Sequence, residues 1–350
     1  MQFKNTPASP AEPRLFNPHS DRPMAMLESC PAYASTPLLD LPSLAGTCGV
    51  GTLYLKDESQ RMRLGSFKAL GGAYAVAQMI SDRSGEADPT TSAAKTEAAK
   101  LTFITASAGN HGLSVAAGAR AFGAHAVVVL SASVPEGFAA RIGALGAEVA
   151  RVDGTYEDSV AYARSAATAN DWILLADGSW QGYIERPALV MEGYTVLAEE
   201  CRSKFAESTI WPSHVFLQAG VGGLAAAVAA HIREHWPEQP EIIVVEPEAA
   251  PCLVESVKAC RMTRVEGHLS NMGRLDCKDA SLIAFMSLRY DADVFMTISD
   301  NEASAAAGIL AELNLNTTPS GAASLAALKK MRPGADSRCL VIMTEGLEAG

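Results

Sequence analysis

Four stretches of the chain carry residue types that can do chemistry. The first, residues 53–80, reads LYLKDESQRMRLGSFKALGGAYAVAQMI. An alternating run over 53–56 predicts a strand end, and Ser66 then stands where a helix N-cap would stand, so Lys68 falls in the first helical turn. The positive end of a helix dipole disfavours an ammonium there and favours the neutral amine. A neutral lysine beside apolar neighbours such as Phe67 and Leu70 condenses with aldehydes, which makes Lys68 a candidate covalent anchor. The competing reading is a solvated surface lysine that happens to open a helix.

The second stretch, TASAGNHG at 105–112, is a small-residue loop between an apolar run and an Ala-rich helical segment. In a parallel sheet this is the carboxyl end of a strand, where ligands bind, and the next helix offers unpaired N–H groups to an anion. Ser107, Asn110 and His111 add side-chain donors; the alternative is a plain Gly-rich turn. The third stretch, QAGVGGLA at 218–225, has two specific readings. Gly220, Gly222 and Ala225 fit the G-x-G-x-x-A dinucleotide fingerprint, with Glu246 placed as a ribose-binding acid. Alternatively the N–H groups of Gly220, Val221, Gly222, Gly223 and Leu224 converge on a single phosphate. The dinucleotide reading leaves Lys68 and the 105–112 loop without a role.

The fourth stretch, DGSWQGY at 177–183, follows an apolar run directly. Beside Trp180 and Tyr183, the Asp177 carboxyl is expected to be desolvated and raised in pKa, as a general base or acid requires; otherwise it caps the helix that begins near 183. Thr344, in MTEG at 343–346, offers a hydroxyl to a ligand ring or to the backbone. NMGRLDCK at 271–278 reads as a polar loop without independent meaning.

The elements that must hold these residues read as α/β. Apolar runs at 101–106, 125–130, 147–152 and 172–176 alternate with helical segments at 112–122, 135–145 and 156–169, which implies right-handed crossovers and a small doubly wound parallel sheet. A second series has strands at 215–218, 242–246, 294–298 and 339–343, with helices at 183–201, 222–234, 251–260, 301–313 and 321–330. Residues 1–34, Pro-rich and polar, read as an arm over the surface. Residues 81–100 have almost no large apolar side chain and read as an exposed, mobile insertion.

At 350 residues the chain can form two domains, and its few aromatics suit helices packed closely on a sheet. The net charge of −11 argues against nucleic acid or an anionic membrane as a partner. Seven scattered cysteines, with no CxxC pair and no metal-type His/Cys spacing, read as reduced thiols. No apolar signal core and no membrane-length run is present, so a soluble cytoplasmic protein is expected.

The order of SFKALGGAY, SAGNHG, QAGVGGL and a closing strand ending in MTEG resembles the fold-type-II pyridoxal-phosphate enzymes, the group of serine/threonine dehydratases and tryptophan synthase β subunits. Within that group LYLKDES, FKALGGAYA, DGSWQGY, IIVVEP, SNMGRLDC and TEG are most similar to the diaminopropionate ammonia-lyases, over residues 35–346. The resemblance implies two doubly wound domains with mainly parallel sheets and the cofactor between them. The large cofactor-binding domain would comprise 1–84 and 170–350, and the small substrate-binding domain 85–169. Lys68 would hold pyridoxal phosphate covalently, Asn110 would face its ring hydroxyl, Gly220 to Leu224 would cradle its phosphate, and Thr344 would meet the pyridine nitrogen. Ser107, Gly109, Asn110 and His111 would grip the substrate carboxylate, and Asp177 would serve in proton transfer.

The family carries an acidic residue just before GNHG, where this chain has Ala108. Of the family's two proton-abstracting carboxylates only Asp177 matches, which implies action on L- rather than D-isomers. The implied reaction is α,β-elimination of a small L-amino acid to a 2-oxo acid and ammonia by a homodimer. Hydroxyamino-acid dehydration is the alternative, since SAGNH is closer to those enzymes. Two more distant readings are a catalytically silent cofactor-binding relative and a nicotinamide-dependent oxidoreductase.

Overall fold

The computed structural model describes residues 1–5, 13–28, 30–107, 109–132 and 134–347. Along the chain come β1 (Gln2–Lys4), α1 (Asp21–Glu28), β2 (Leu38–Asp40), α2 (Pro42–Cys48), β3 (Thr52–Asp57), α3 (Lys68–Ser84) and α4 (Ser92–Ala98). Four strands then alternate with three helices: β4 (Thr102–Ala106), α5 (Asn110–Phe122), β5 (His125–Ser131), α6 (Glu136–Ala144), β6 (Glu148–Val152), α7 (Tyr156–Asn170) and the two-residue β7 (Ile173–Leu174). The long α8 (Glu185–Ser208) leads to β8 (His214–Gln218), α9 (Gly223–His235), β9 (Glu241–Pro247), α10 (Cys252–Lys258), α11 (Leu282–Asp291), β10 (Val294–Ile298), α12 (Asp300–Glu312), α13 (Ala323–Met331) and β11 (Arg338–Met343).

Two sheets result. The larger has the order β1-β10-β9-β8-β11-β3-β2, parallel at its centre with antiparallel β1 and β2 at the edges; the smaller, β6-β5-β4-β7, is parallel throughout. Helices cover both faces, so central strands such as EIIVVEP in β9 are near-continuous apolar runs.

Helix α3 lies between the two units, and its glycines are what bring it there. A Cβ on Gly71 would stand 2.4 Å from the Tyr194 ring, and one on Gly193 would stand 2.6 Å from Leu70 O, so α3 and α8 cross almost backbone to backbone. On the neighbouring face a Cβ on Gly72 would meet Ser114 Oγ at 2.5 Å, and one on Gly118 would meet Ala73 Cα at 2.8 Å, which seats α5 equally close. The GG pair in FKALGGAY therefore wedges one helix between two others, and Lys68 is its first residue.

Beneath the β3–α3 connection sits a buried ion cluster. Lys56, Glu58 and Arg61 are each at most 1% exposed, and Glu200 of α8 is 6% exposed. Lys56 Nζ donates to Glu200 Oε2 at 2.5 Å, while the Arg61 guanidinium donates to both Glu58 oxygens and both Glu200 oxygens at 2.7 Å. This pins the turn through Met62 and Arg63, both at positive φ (50° and 60°), that delivers Lys68.

Two expectations are corrected. The N-terminal stretch, expected as an arm over the surface, is built into the fold: β1 pairs with β10, Phe16 and Leu27 are buried, and Arg14 is paired with both oxygens of Asp291. Residues 6–12 within it lie outside the described residues. Within 81–100, the stretch expected to be a mobile insertion, α4 forms with Thr91 as its N-cap and with Ala94 and Ala98 fully buried. Small side chains at i and i+4 suffice for a close helix contact, so the lack of large apolar residues was misleading. Helix α11, with Ile283, Ala284, Phe285 and Leu288 buried, has no counterpart among the sequence-based expectations.

Replacing Gly193 with Ala is expected to force α3 and α8 apart at a cost of ~1–3 kcal/mol, read as a lower urea midpoint at unchanged m-value. Arg61→Met leaves two buried carboxylates facing Lys56 alone, and the expected loss is ~3–5 kcal/mol at neutral pH. Burial pushes the Glu200 carboxyl up, but Arg61 and Lys56 outweigh it and hold it at about 2, against 4.5 ordinarily. Because that pKa is depressed on folding, the stabilisation is complete above about 4.5 and fades as pH falls toward about 2. Without Arg61 the carboxyl titrates higher, so acid unfolding of the variant is expected to begin at a higher pH; an unchanged acid midpoint would argue against the cluster's role.

Candidate active site

The site is assembled at the carboxyl ends of β4, β8 and β11 and at the start of α3. Lys68 opens α3, with Phe67 at the cap position already in helical geometry (φ −54°, ψ −25°) and no side chain capping the helix. Ser66, expected as the N-cap, instead pairs with Glu345 in an isolated antiparallel bridge, and its carbonyl accepts from Ala69 N at 3.2 Å. The Phe67 N–H donates to Thr344 O at 3.1 Å, so the end of β11 fixes the residue before the lysine.

Lys68 Nζ is ion-paired with Asp177 Oδ2, and the two side chains are 21% and 20% exposed. The neutral amine expected at this helix start is therefore not what the structure holds. Burial works to lower the lysine's pKa, but the Asp177 carboxylate, with Tyr194, outweighs it and raises it above the ordinary value. Asp177, expected to be raised, is lowered: burial pushes it up, and the Lys68 ammonium and then His111 push it further down. The dipole argument was sound in sign but ignored a full counter-charge in contact.

The glycine loop comes against this pair. A Cβ on Gly223 would lie 3.9 Å from Asp177 O and 3.7 Å from the Tyr194 ring, and one on Gly178 would lie 3.9 Å from Val221 Cγ1. Gly222 has φ +99°, and a Cβ on it would stand 2.9 Å from both Ala284 and Leu253; one on Gly220 would stand 2.9 Å from Cys277 Sγ. Any side chain at either position would displace the wall of the loop. Gly223 and Leu224 begin α9, whose first-turn N–H groups have no partners within the helix and face the loop as an anion site.

The 105–112 loop supplies the opposite wall. Ser107 Oγ accepts from Gly109 N and Gly112 N at 3.0 and 2.9 Å and donates to Gly109 O at 3.0 Å, so its hydroxyl shapes the loop. Ala108 lies outside the described residues. Asn110 begins α5, and its Nδ2 donates to Glu345 Oε2 at 2.5 Å. His111, 3% exposed, donates from Nε2 to Leu175 O at 2.9 Å, leaving Nδ1 as a buried acceptor with no partner among the described residues. Burial holds its imidazole below the ordinary value, toward neutral. Thr344, 4% exposed, accepts from Gln218 Nε2 at 3.3 Å.

Lys68, Asp177, the 105–112 and 218–225 loops and Thr344 are thus brought to one place, whereas Glu246 is not, and three other residues join them. Glu345 receives Asn110 and Thr318; it stands beside Thr344 in MTEG, and that adjacency was its only sequence signal. Arg274, in the loop that read as meaningless, packs its backbone on Gly220 and its guanidinium on Gly109. Tyr194 has a buried hydroxyl without a partner among the described residues and edges onto the Phe67 ring at 4.9 Å; nothing in a mid-helix tyrosine announces this.

The nicotinamide reading fails at its acid. Glu246 is 1% exposed, and its two oxygens accept from Leu253 N and Val254 N at 2.7 and 2.9 Å, the first turn of α10. Burial pushes this carboxyl up to about 8. It caps a helix and is sealed in the core, out of reach of a ribose. The same cleft suits a phosphorylated aldehyde: an amine, a tight glycine loop at a helix start, an amide and a hydroxyl converge, with polar atoms of His111 and Tyr194 left unpaired around them.

Comparison with known proteins agrees. The diaminopropionate ammonia-lyase of Escherichia coli (strain K12) is 32% identical over 337 residues, covering 90% of this chain and 85% of that protein. A crystal structure of the Escherichia coli enzyme in complex with an aminoacrylate-PLP azomethine reaction intermediate superposes with a TM-score of 0.87 at 30% identity, covering 99% of this chain and 93% of the other. A probable D-serine dehydratase of Paracidovorax citrulli is 28% identical over 284 residues, 73% of this chain and 62% of that protein. The family model described as "Pyridoxal-phosphate dependent enzyme" matches residues 30–345. With nine-tenths of its length inside that match and a lysine poised beside a glycine cradle, the chain belongs to the family of pyridoxal-phosphate dependent enzymes.

Proposed function

We propose that this enzyme is an ammonia-lyase that carries out α,β-elimination on a small L-amino acid, releasing an enamine that hydrolyses to a 2-oxo acid and ammonia, with diaminopropionate the first substrate to test. The observation that carries the reading is the Lys68–Asp177 pair set against the Gly220 to Leu224 loop in a chain one-third identical to diaminopropionate ammonia-lyase.

The residues that hold the cofactor are Lys68 at its aldehyde, the N–H groups of Gly220, Val221, Gly222, Gly223 and Leu224 at its phosphate, Asn110 at its ring hydroxyl and Thr344 at its ring nitrogen. Bound pyridoxal phosphate supplies the electron sink that makes an α-proton acidic. The protein supplies position and proton transfer. Ser107, Gly109, Asn110 and His111 form the loop that receives the substrate carboxylate, at the positive end of α5. Asp177 or Lys68 takes the α-proton. When the ammonium no longer pairs with Asp177, the largest of the forces that held this carboxyl down is gone, and burial shifts it upward, toward the range of a working base. Burial favours the neutral imidazole of His111 beside them.

On this reading a larger unit, 1–84 with 170–350, holds the cofactor and a smaller one, 85–169, brings the substrate loop. The enzyme acts as a cytoplasmic homodimer on L-isomers, because only Asp177 remains of the two carboxylates. The likeness to a D-serine dehydratase supports one second reading, dehydration of a hydroxyamino acid. Comparing kcat/KM for diaminopropionate and serine, each as L- and D-isomers, separates the two.

Lys68→Ala is expected to abolish the visible absorption of the protein-bound cofactor, and an unchanged spectrum removes Lys68 as the anchor. Asp177→Asn is expected to retain the cofactor and to lose ~10²–10⁴-fold in turnover on L-substrate. Turnover at the original rate would show that the proton goes elsewhere.

A further inference from the structure

We infer that Glu345 is a positioning residue, whose carboxylate fixes the side-chain amide of Asn110 as a hydrogen-bond donor toward the oxygen of the cofactor ring. The assignment rests on the reading that Asn110 meets that oxygen.

Glu345 follows Thr344 at the end of β11 and is 5% exposed. Its backbone is tied on two sides: it bridges with Ser66, in the turn that delivers Lys68, and its carbonyl oxygen accepts from Thr317 Oγ1 at 2.5 Å. A Cβ on Gly321 would stand 3.0 Å from the same carbonyl oxygen, so the 317–321 segment packs directly on it. The side chain is tied as well. Oε1 accepts from Thr318 Oγ1 and Oε2 from Asn110 Nδ2, both at 2.5 Å, and Arg274 Nε is ion-paired with Oε2 at 3.7 Å. Thr318 Oγ1 accepts from Gly321 N at 3.1 Å, which leaves its proton for Glu345.

This network decides how Asn110 can be used. An asparagine amide has a donating end and an accepting end, and turning it over exchanges them. A carboxylate offers acceptors alone, so the Nδ2 end of Asn110 must face Glu345; the Oδ1 end in its place would set oxygen against oxygen. One N–H of Nδ2 goes to Glu345, and the second stays on the same end as a donor. Asn110 is the first residue of α5, so the helix holds its backbone and the amide is the part left to orient. A donor beside the ring oxygen favours that oxygen as an anion, whereas an acceptor there favours the protonated hydroxyl. The anionic form of the bound cofactor absorbs in the visible and the neutral form at shorter wavelength. Thr344, read as the partner of the ring nitrogen, is the adjacent residue, so one short segment sets the contacts at both polar positions of the ring.

The test records the absorption spectrum of the cofactor-loaded enzyme for the original protein, Glu345→Gln, Asn110→Ala and the double variant. Glutamine keeps the size of the side chain and bonds either end of the Asn110 amide, so it removes the constraint without emptying the site. Glu345→Gln should lower the ratio of the visible to the shorter-wavelength band roughly threefold or more at neutral pH, in the same direction as Asn110→Ala, and the double variant should match Asn110→Ala within about twofold. An unchanged ratio in Glu345→Gln would overturn the assignment, as would an effect that persists at full size in the Asn110→Ala background, where no amide is left to orient. Should Glu345→Gln fail to fold, Thr318→Val loosens the carboxylate with Glu345 intact. It should move the ratio the same way, and no movement would overturn the assignment. If the unmodified enzyme yields no 2-oxo acid from any amino acid while the band ratio still depends on Glu345 through Asn110, the elimination reading falls and this one stands.

Discussion

Lys68 and Asp177 lie 109 residues apart in sequence and meet as an ion pair in the cleft. Each is placed where alone it would be unfavourable. An ammonium at the opening turn of a helix opposes the dipole, and a carboxylate four-fifths buried pays for its lost water. Together they cancel both penalties, and the cancellation is conditional. Whatever removes the charge of the lysine takes away the largest force holding the aspartate down against burial, so the charge of one group sets the basicity of the other.

Such coupling works only if the two groups cannot drift apart, and the helix contacts supply that constraint. Gly71 and Gly193 let α3 touch α8, the helix that follows the Asp177 segment, and Gly72 and Gly118 let α3 touch α5, the helix that begins at Asn110. One helix thus references lysine, aspartate and the 105–112 loop to the same backbone. Rigid elements locked by backbone-to-backbone contact position reacting groups better than long side chains interdigitating across a wider gap. The high Ala and Gly content follows from this close spacing.

The strand and helix pattern was readable because both sheets are parallel and covered on both faces. Buried strands then become apolar runs such as 215–218 and 242–246, and crossover helices become Ala-rich stretches, two periods that do not overlap. Lys68, Asp177, the two glycine loops and Thr344 were readable because ligand sites collect at strand ends, and small residues there leave a mark. Charge states were not readable. The neutral lysine and the raised aspartate each followed from local surroundings, and a partner 109 residues away reversed both. Arg274 was missed for a related reason: its loop has no pattern of its own, and its meaning lies in the Gly220 and Gly109 surfaces that it bridges. Helix α4 was missed because burial was equated with bulk, whereas two alanines buried it.

Two ion clusters flank the turn that delivers Lys68, and they differ in burial and in the number of their partners. Lys56, Glu58, Arg61 and Glu200 are almost fully buried, and each guanidinium or ammonium donor reaches a carboxylate or a carbonyl, as Lys56 does with Thr36 O at 2.7 Å. Changing the charge of any member would strand a partner in a dry interior, a penalty too large for a working cycle. Lys68 and Asp177 are ion-paired and keep about one-fifth of their side-chain surface open, with the Nδ1 of His111 and the hydroxyl of Tyr194 nearby, both without a partner among the described residues. An incompletely satisfied pair can exchange partners at modest cost, while a saturated one cannot. The many-partnered cluster beneath the turn fixes where Lys68 stands, and the more open pair above it keeps the freedom to exchange partners that the proposed reaction needs.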